Sequence, residues 1–407
     1  MKSFSTALPL ALAYLRERLL GTLLNILLLA LGVGTIIALL LTLSQAEERM
    51  HRDSVGIDLV VGAKGSPLQL ILSSVFQVDI PTGNISLVEA ARISAEPAVR
   101  RAVPLALGDS YRSFRIVGTH ADYLDLYRAT IHDGRLWRKP MEVVVGAEVA
   151  MRTGLKVGQT FAGTHGLVDG GGSHANQLFE VTGTLNPTGA VIDRLIVTSL
   201  DSIWRLHAHA ADGAARTNDE TTIAGEEKEI TALLIQYSTP MAAVSFPRRV
   251  NAVSGLQAAA PAMETARLIA LLGFGVTALK LFATVMMLCA GLGIFIGLMN
   301  ALDDRRADLA LLRVLGAGRG TVFLTILIQG FALGVAGVIL GLALGHAGAE
   351  WIGQTVARVH SVRFTGLVWV SEEFWVIGAA LALALAAGLF PAWRAYRDAV
   401  PQHLSRS

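Results

Sequence analysis

The sequence predicts a membrane α-helical protein with four transmembrane helices and a large extracytoplasmic α+β domain inserted between the first and the second. Three observations predict this. Residues 19–43, 281–302, 321–345 and 374–393 carry no charge, and each run is long enough to cross a hydrocarbon core about 30 Å thick at about 1.5 Å per residue. Between the first two runs, charges, glycines and prolines return, together with short β-like runs. Finally, 53% of the 407 residues are hydrophobic and only 16% are charged, against about 25% charged in an ordinary soluble domain.

Residues 1–46 read as an amphipathic surface segment followed by the first span. Leu8, Leu10, Leu12 and Leu15 lie among Lys2, Arg16, Glu17 and Arg18, a pattern that suits a membrane surface. The competing reading is a cleaved leader, because Ser44-Gln45-Ala46 has small-x-small spacing. The uncharged run is longer than the roughly 7–15 residues such leaders use, so we expect an uncleaved first helix.

Residues 47–265 form the inserted domain, long enough for its own core and for two lobes. Strand candidates are 57–61, 114–117, 142–145, 178–182, 195–198 and 230–237. Helical candidates are 86–93 and 200–206. Residues 164–176, which are Gly-rich, and 207–229 read as exposed loops. Residues 266–302 are a stalk and the second span, 303–320 a charged loop, 321–345 the third span, 346–373 a short outer loop, 374–393 the fourth span and 394–407 a basic tail. In the third span Gly330, Gly334, Gly337, Gly341 and Gly345 let helices approach closely.

Basic residues set the expected orientation. Ten lie in the N-terminal segment, the 303–320 loop and the tail, against Arg358 and Arg363 in the short loop on the other side. The N- and C-termini and the charged loop therefore face the cytoplasm, and the inserted domain lies outside. Lys280 then sits at the outer edge of the second span, where it can snorkel.

Several chemistries are excluded. No Gly-Lys-Ser/Thr occurs, and Gly62-Ala63-Lys64-Gly65-Ser66 has the wrong spacing for a phosphate loop. No H-E-x-x-H or G-x-S-x-G occurs either, so we expect no catalytic residue and no cofactor. The single cysteine, Cys289, reads as a small hydrophobe. Net charge is +2, and the basic residues form no aromatic-interleaved patch, so nucleic acid is not a partner. His165, His174, His207 and His209 fall in the two exposed loops. They read as solvated histidines, with a zinc site as the alternative. The spans hold few ionisable groups, which argues against an ion-driven carrier and points to energy supplied by an ATPase in trans.

The loop after the second span reads Arg305-x-x-Asp308-Leu309-x-x-x-Arg313-x-Leu315-Gly316-Ala317. This resembles the R-x-x-E-I-x-x-x-[RK]-x-L-G-A signature of FtsX-like permeases, the MacB/LolC/FtsX superfamily of ABC transporters. Asp308 stands where that signature has Glu. Asn300 at the end of the second span, Gly388-x-x-Pro391-Ala392-x-x-Ala395 in the fourth, and residues 11–16 are similar to the same family. So are residues 143–160 and Thr188-Gly189-x-x-x-Asp193-Arg194 in the inserted domain.

The resemblance implies that 303–320 is a coupling helix docked on a cytoplasmic ABC ATPase subunit. It also implies that a second permease copy, identical or paralogous, completes the complex, and that ATP-driven motion reaches the outer domain by mechanotransmission. The residues themselves agree. Leu309, Leu312 and Leu315 recur on one edge, and Arg305, Arg306 and Arg313 can set orientation by charge. With Asp308, these are the expected partner-binding residues. The leading reading is a permease subunit in a bacterial inner membrane that exports or extracts a lipoprotein, lipid or other periplasmic client. Other readings are a mechanotransmission regulator of a periplasmic partner, a metal-linked membrane protein using the histidine loops, and a stand-alone membrane enzyme.

Overall fold

A computed structural model describes residues 9–11, 13, 19–165, 173–206, 228–304, 318–360 and 364–397, with backbone only at 165, 173–176 and 356–360. Among the described residues, four helices are long and apolar enough to cross a membrane: α1 (Leu19–Ser54), and three that follow the inserted domain. The chain divides into two compact units, residues 1–46 with 272–407, and residues 47–271.

After α1, the inserted domain runs through β1 (Leu59–Ala63), α2 (Pro67–Ser74), β2 (Ile85–Ser86), α3 (Leu87–Ser94), β3 (Val99–Tyr111), β4 (Phe114–Thr119), α4 (Asp122–Leu126), β5 (Ile131–Gly134) and β6 (Glu142–Val145). It continues through α5 (Ala147–Thr153), β7 (Thr160–His165), β8 (Ser173–Leu185), a 3-10 turn (Val191–Arg194), β9 (Ile196–Ser199), a helical stretch 200–206, β10 (Glu229–Ile230), β11 (Ala232–Tyr237), α6 (Ala242–Asn251) and β12 (Leu256–Ala259). Ten strands form one mixed sheet in the order β12-β1-β11-β3-β4-β9-β6-β8-β5, with β7 bridging β3 and β8. β2 and β10 form a separate pair.

Both faces of the large sheet are covered. Val61, Ile116, Val143, Val145, Ile196 and Leu233 join a core with Ile93 of α3, Val149 of α5, Ile203 of the 200–206 stretch and Phe246 of α6. Their strand neighbours Val60, Val117, Val144, Val197 and Leu234 join the other, with Leu70 of α2, Tyr123 of α4 and Ile192. Burial on both faces explains why runs such as 142–145 lack polar alternation. β3 is longer than any strand the sequence suggests. The Gly-rich segment expected as a loop at 164–176 proves to be bounded by paired strands, since Thr164 lies opposite Ser173 in the β7–β8 ladder.

In the other unit, the part of α7 (Pro261–Asp304) from Leu272 on, α8 (Arg319–His360) and α9 (Glu372–Arg397) pack with the first part of α1. α8 runs on to His360 rather than ending near Gly345. Polar side chains on its final turns find partners in the following loop, as described below. Glycine decides the packing of α8. A Cβ on Gly341 would lie 2.7 Å from Val33 Cβ of α1, and one on Gly345 2.7 Å from Ile37 Cβ. On α8's other face a Cβ on Gly334 would lie 2.6 Å from Ala384 Cβ of α9. Small residues therefore let α8 contact two helices at backbone distance.

Candidate functional site

The predicted partner-binding residues Arg305, Arg306, Asp308, Leu309, Leu312, Arg313 and Leu315 lie outside the described residues, but the helix ends on either side of them are described. Leu298 and Leu302 of α7, Val322 and Ile326 of α8, and Ala392 and Ala395 of α9 share one buried cluster. Leu302, just before 305–317, and Val322, just after it, thus belong to the same packed core. Asp303 at the end of α7 pairs with Arg394 of α9 at 3.6 Å. Arg397 lies 4.7 Å over the Trp393 ring, and Phe323 meets Tyr396 edge-on. In Gly388-x-x-Pro391-Ala392-x-x-Ala395, the missing side chain of Gly388 brings its backbone 3.5 Å from where a Cβ on Gly330 would stand. The small residues of that motif are what let α9 close on α7 and α8.

The inserted-domain segments singled out in the sequence come together in space. Gly146, between β6 and α5, donates its N–H to Leu195 O at 2.9 Å. A Cβ there would stand 2.4 Å from the Ile192 and Asp193 carbonyl oxygens, so only glycine fits against the 3-10 turn. Asp193 closes that turn by accepting from Thr188 N, Thr188 Oγ1 and Gly189 N. Gly189 has φ +75, the left-handed conformation that favours glycine. Arg194 then points to the last turn of α1, where its Nη2 lies 3.5 Å from Asp53 Oδ2. Both side chains are buried, Asp53 at 2% and Arg194 at 7% exposure. Tyr127 Oη donates to the Asp53 carbonyl at 3.2 Å. The Thr188–Arg194 motif therefore anchors the end of α1 in the inserted domain.

Sequence reasoning missed a second polar cluster, within the membrane unit. His346 of α8 faces Gly366 O through Nδ1 and Glu373 Oε2 through Nε2, the latter at 3.0 Å. Glu373, at the start of α9, is fully buried and also accepts from Val370 N. Glu350 accepts from Thr365 Oγ1 and Gly366 N. Gln45 of α1 pairs with the Thr365 backbone on both its N–H and its carbonyl. Residues 364–373 are thus tied to three helices by side chains far apart in sequence, a signal that no local pattern carries.

Among the described residues, no group of three His, Cys, Asp or Glu side chains could hold a metal ion. His207 and His209 lie outside the described residues, as do the side chains of His165 and His174.

The C-terminal residues 280–400 match the FtsX-like permease C-terminal domain, and residues 22–233, more than half of the chain, match the MacB-like periplasmic core domain. The chain belongs to the FtsX-like/MacB-like permeases. The inserted α+β region is accordingly the periplasmic domain of an ABC-type permease, and the chain is a multi-pass inner-membrane protein. Curated relatives include the lipoprotein-releasing system transmembrane protein LolC of Xylella fastidiosa, at 27% identity over 30% of this chain and 34% of that protein. The lipoprotein-releasing system transmembrane protein LolE of Haemophilus influenzae is 33% identical over 26% of this chain and 29% of that protein. The match thus spans about a third of the length of these relatives. Among solved structures, the periplasmic region of MacB from Actinobacillus actinomycetemcomitans aligns with a TM-score of 0.33 at 10% identity, covering 53% of this chain and 95% of that one. The extracellular domain of YknZ, a transporter of Gram-positive bacteria, gives 0.30 at 12% identity, covering 50% and 98%.

Proposed function

We propose that this permease transmits motion from a cytoplasmic ABC ATPase to its own periplasmic domain, and that the work done there extracts or exports a lipoprotein or similar lipid-bearing client. The observation that carries the reading is the frame around 305–317. Leu302, before the segment, and Val322, after it, share one packed cluster with Ala392 and Ala395 of α9, so a force entering between α7 and α8 is shared by three helices. Its residues Leu309, Leu312 and Leu315 supply an apolar edge, and Arg305, Arg306, Asp308 and Arg313 supply charge for docking. The names of the LolC and LolE relatives support the lipoprotein client. The basic residues around the spans support an orientation with both termini and the 303–320 segment in the cytoplasm. Energy comes from the partner, since the chain carries no phosphate-binding loop of its own. A second permease copy, identical or paralogous, completes a symmetric pair with two ATPase subunits.

The test is co-expression with the cognate ATPase and purification of the permease. The wild-type chain retains the ATPase, and Leu312→Asp releases it while the permease still reaches the membrane. Failure of the wild-type chain to hold an ATPase in any nucleotide state would refute the reading.

A further inference from the structure

The segment that joins α8 to α9 has two unlike sides. Its inner side is polar and closed. Thr365 N donates to Gln45 Oε1 of α1 and Gly366 N to Glu350 Oε2, both at 2.9 Å, and Val370 N donates to Glu373 Oε1 at 3.0 Å. A Cβ on Gly366 would overlap the His346 carbonyl oxygen, so glycine is what lets the chain lie this close to α8. The outer side is apolar. Leu367 is 88% exposed, the highest value of any large hydrophobic side chain among the described residues. Trp369, Phe374, Trp375 and, on α8, Trp351 are exposed beside it. An apolar surface of this kind marks a place of contact with something other than water.

The polar ties also fix the height of that surface. α9 carries no charge between Glu373 and Arg394. Those 21 positions rise about 31 Å, which matches a hydrocarbon core of about 30 Å. Glu373 therefore marks the edge of the hydrocarbon on the side of the periplasmic domain. His346 Nε2 lies 3.0 Å from Glu373 Oε2, so this turn of α8 is at the same level. Gly366 O faces His346 Nδ1, and Val370 N is bonded to Glu373. The backbone from 366 to 370 is thus held at both ends to the same level. It runs along the hydrocarbon edge instead of rising into the periplasm.

We propose that Leu367, Trp369, Phe374 and Trp375 form an interfacial anchor, seated in the headgroup layer of the outer leaflet with phospholipid as its ligand. Acyl chains cover Leu367 and Phe374. The indoles of Trp369 and Trp375 join an apolar body to one N–H donor, which suits the level of the lipid ester and phosphate groups. Trp351 lies about 8 Å further along α8 than His346 and meets the top of the same layer. Height selects the bilayer as the occupant, because the surface is level with the ends of the spans and continuous with the exposed apolar sides of α8 and α9. The polar inner side keeps the anchor rigid. The inference rests on the spans and not on the ATPase reading.

Nitroxide accessibility of the full-length permease in phosphatidylcholine vesicles, without ATPase, tests it. Cys289 is the single cysteine, so Cys289→Ala gives a background in which Leu367→Cys is labelled alone. A label at 367 should collide more with oxygen, which concentrates in lipid, than with a water-soluble nickel chelate. A label at Val157, exposed on the periplasmic domain, should show the reverse order. A nickel-dominated ratio at 367 would put the segment in water, and protection from both reagents would put it under protein. Either result would overturn the proposal. Phospholipids brominated along their acyl chains give a second reading that needs no label. They should quench the native tryptophan emission, and Trp369→Phe with Trp375→Phe should lower the quenched fraction by roughly half, since Trp351 and Trp393 remain near the two interfaces. An unchanged quenched fraction would also overturn it. Because no ATPase is present, the outcome is independent of the Leu312→Asp experiment.

Discussion

The periplasmic domain buries aliphatic side chains on both faces of a ten-stranded sheet and satisfies its charges with closed hydrogen-bond sets. Glu142, for example, accepts from Nη1 and Nη2 of Arg135 and from Arg138 N and Lys139 N. Among the described residues, the membrane unit has no comparable polar framework along its spans. There α8 meets α1 and α9 at glycines, and polar ties collect where residues 364–373 cross the helix ends. The contrast follows from the solvent. In water, burying apolar area drives association. In lipid that drive is absent, so helices are held by close backbone contact and by a few polar pairs whose alternative is an unsatisfied group.

The contrast is broken most severely by filling a glycine in the membrane unit. Gly345→Leu places a Cβ 2.7 Å from Ile37 Cβ and 2.9 Å from the Gly34 carbonyl. Because backbone must move, we expect a loss of about 3 kcal/mol, read as faster hydrogen exchange along α8 while β3 and β4 keep their protection. A variant exchanging like the wild type would show that glycine contact does not hold α8. Glu373→Leu leaves His346 Nε2 and Val370 N without their acceptor and should cost about 2 kcal/mol, seen as a lower melting temperature in detergent and earlier proteolysis within 364–371. Equal protease resistance would mean that the polar ties do not fix this segment.

In the periplasmic domain, Glu142→Gln should cost about 1 kcal/mol at neutral pH and alter the acid limb of stability. The Arg135 hydrogen bonds, aided by the two backbone N–H groups, hold the Glu142 carboxyl down at about 2. Its folded value is below its unfolded value, so its stabilisation is complete above the ordinary carboxylate range and is lost as pH falls toward 2. The variant's stability should therefore fall less steeply with acid than the wild type's over that window. Parallel curves would contradict the assignment. The smallest effect is expected for Glu96→Gln, since the Arg249–Glu96 pair at 3.4 Å is exposed on both sides. It should change stability by less than about 0.5 kcal/mol, a control for the buried pairs.

The spans were legible because lipid imposes uncharged runs of fixed minimum length, and strands such as 142–145 because burial on both faces leaves β-branched runs. β3 was not legible. Its 13 residues include Arg100, Arg101, Pro104 and Asp109, which local rules read as breakers, and only its pairing across β11 and β4 makes it a strand. There Pro104 lies opposite Leu233, and its carbonyl accepts from Thr119 Oγ1. The Asp193–Arg194 motif could be seen in the sequence but not its partner, because Asp53 lies 141 positions away. The Gln45–Thr365 tie spans 320 positions, and single polar residues at the ends of apolar runs give no periodic signal. The segment expected to bind a partner rests on residue types, their spacing and the family resemblance, and it lies outside the described residues.

Site-specific photo-cross-linking in cells is the most direct test of the account's central claim. A photoreactive residue placed at Leu309 or Leu312 should capture the cytoplasmic ATPase, whereas the same residue at Val157, exposed on the periplasmic domain, should capture none. Capture at Val157, or none at either leucine in a strain that makes the ATPase, would contradict the assignment of 303–320 as the point where force enters the protein.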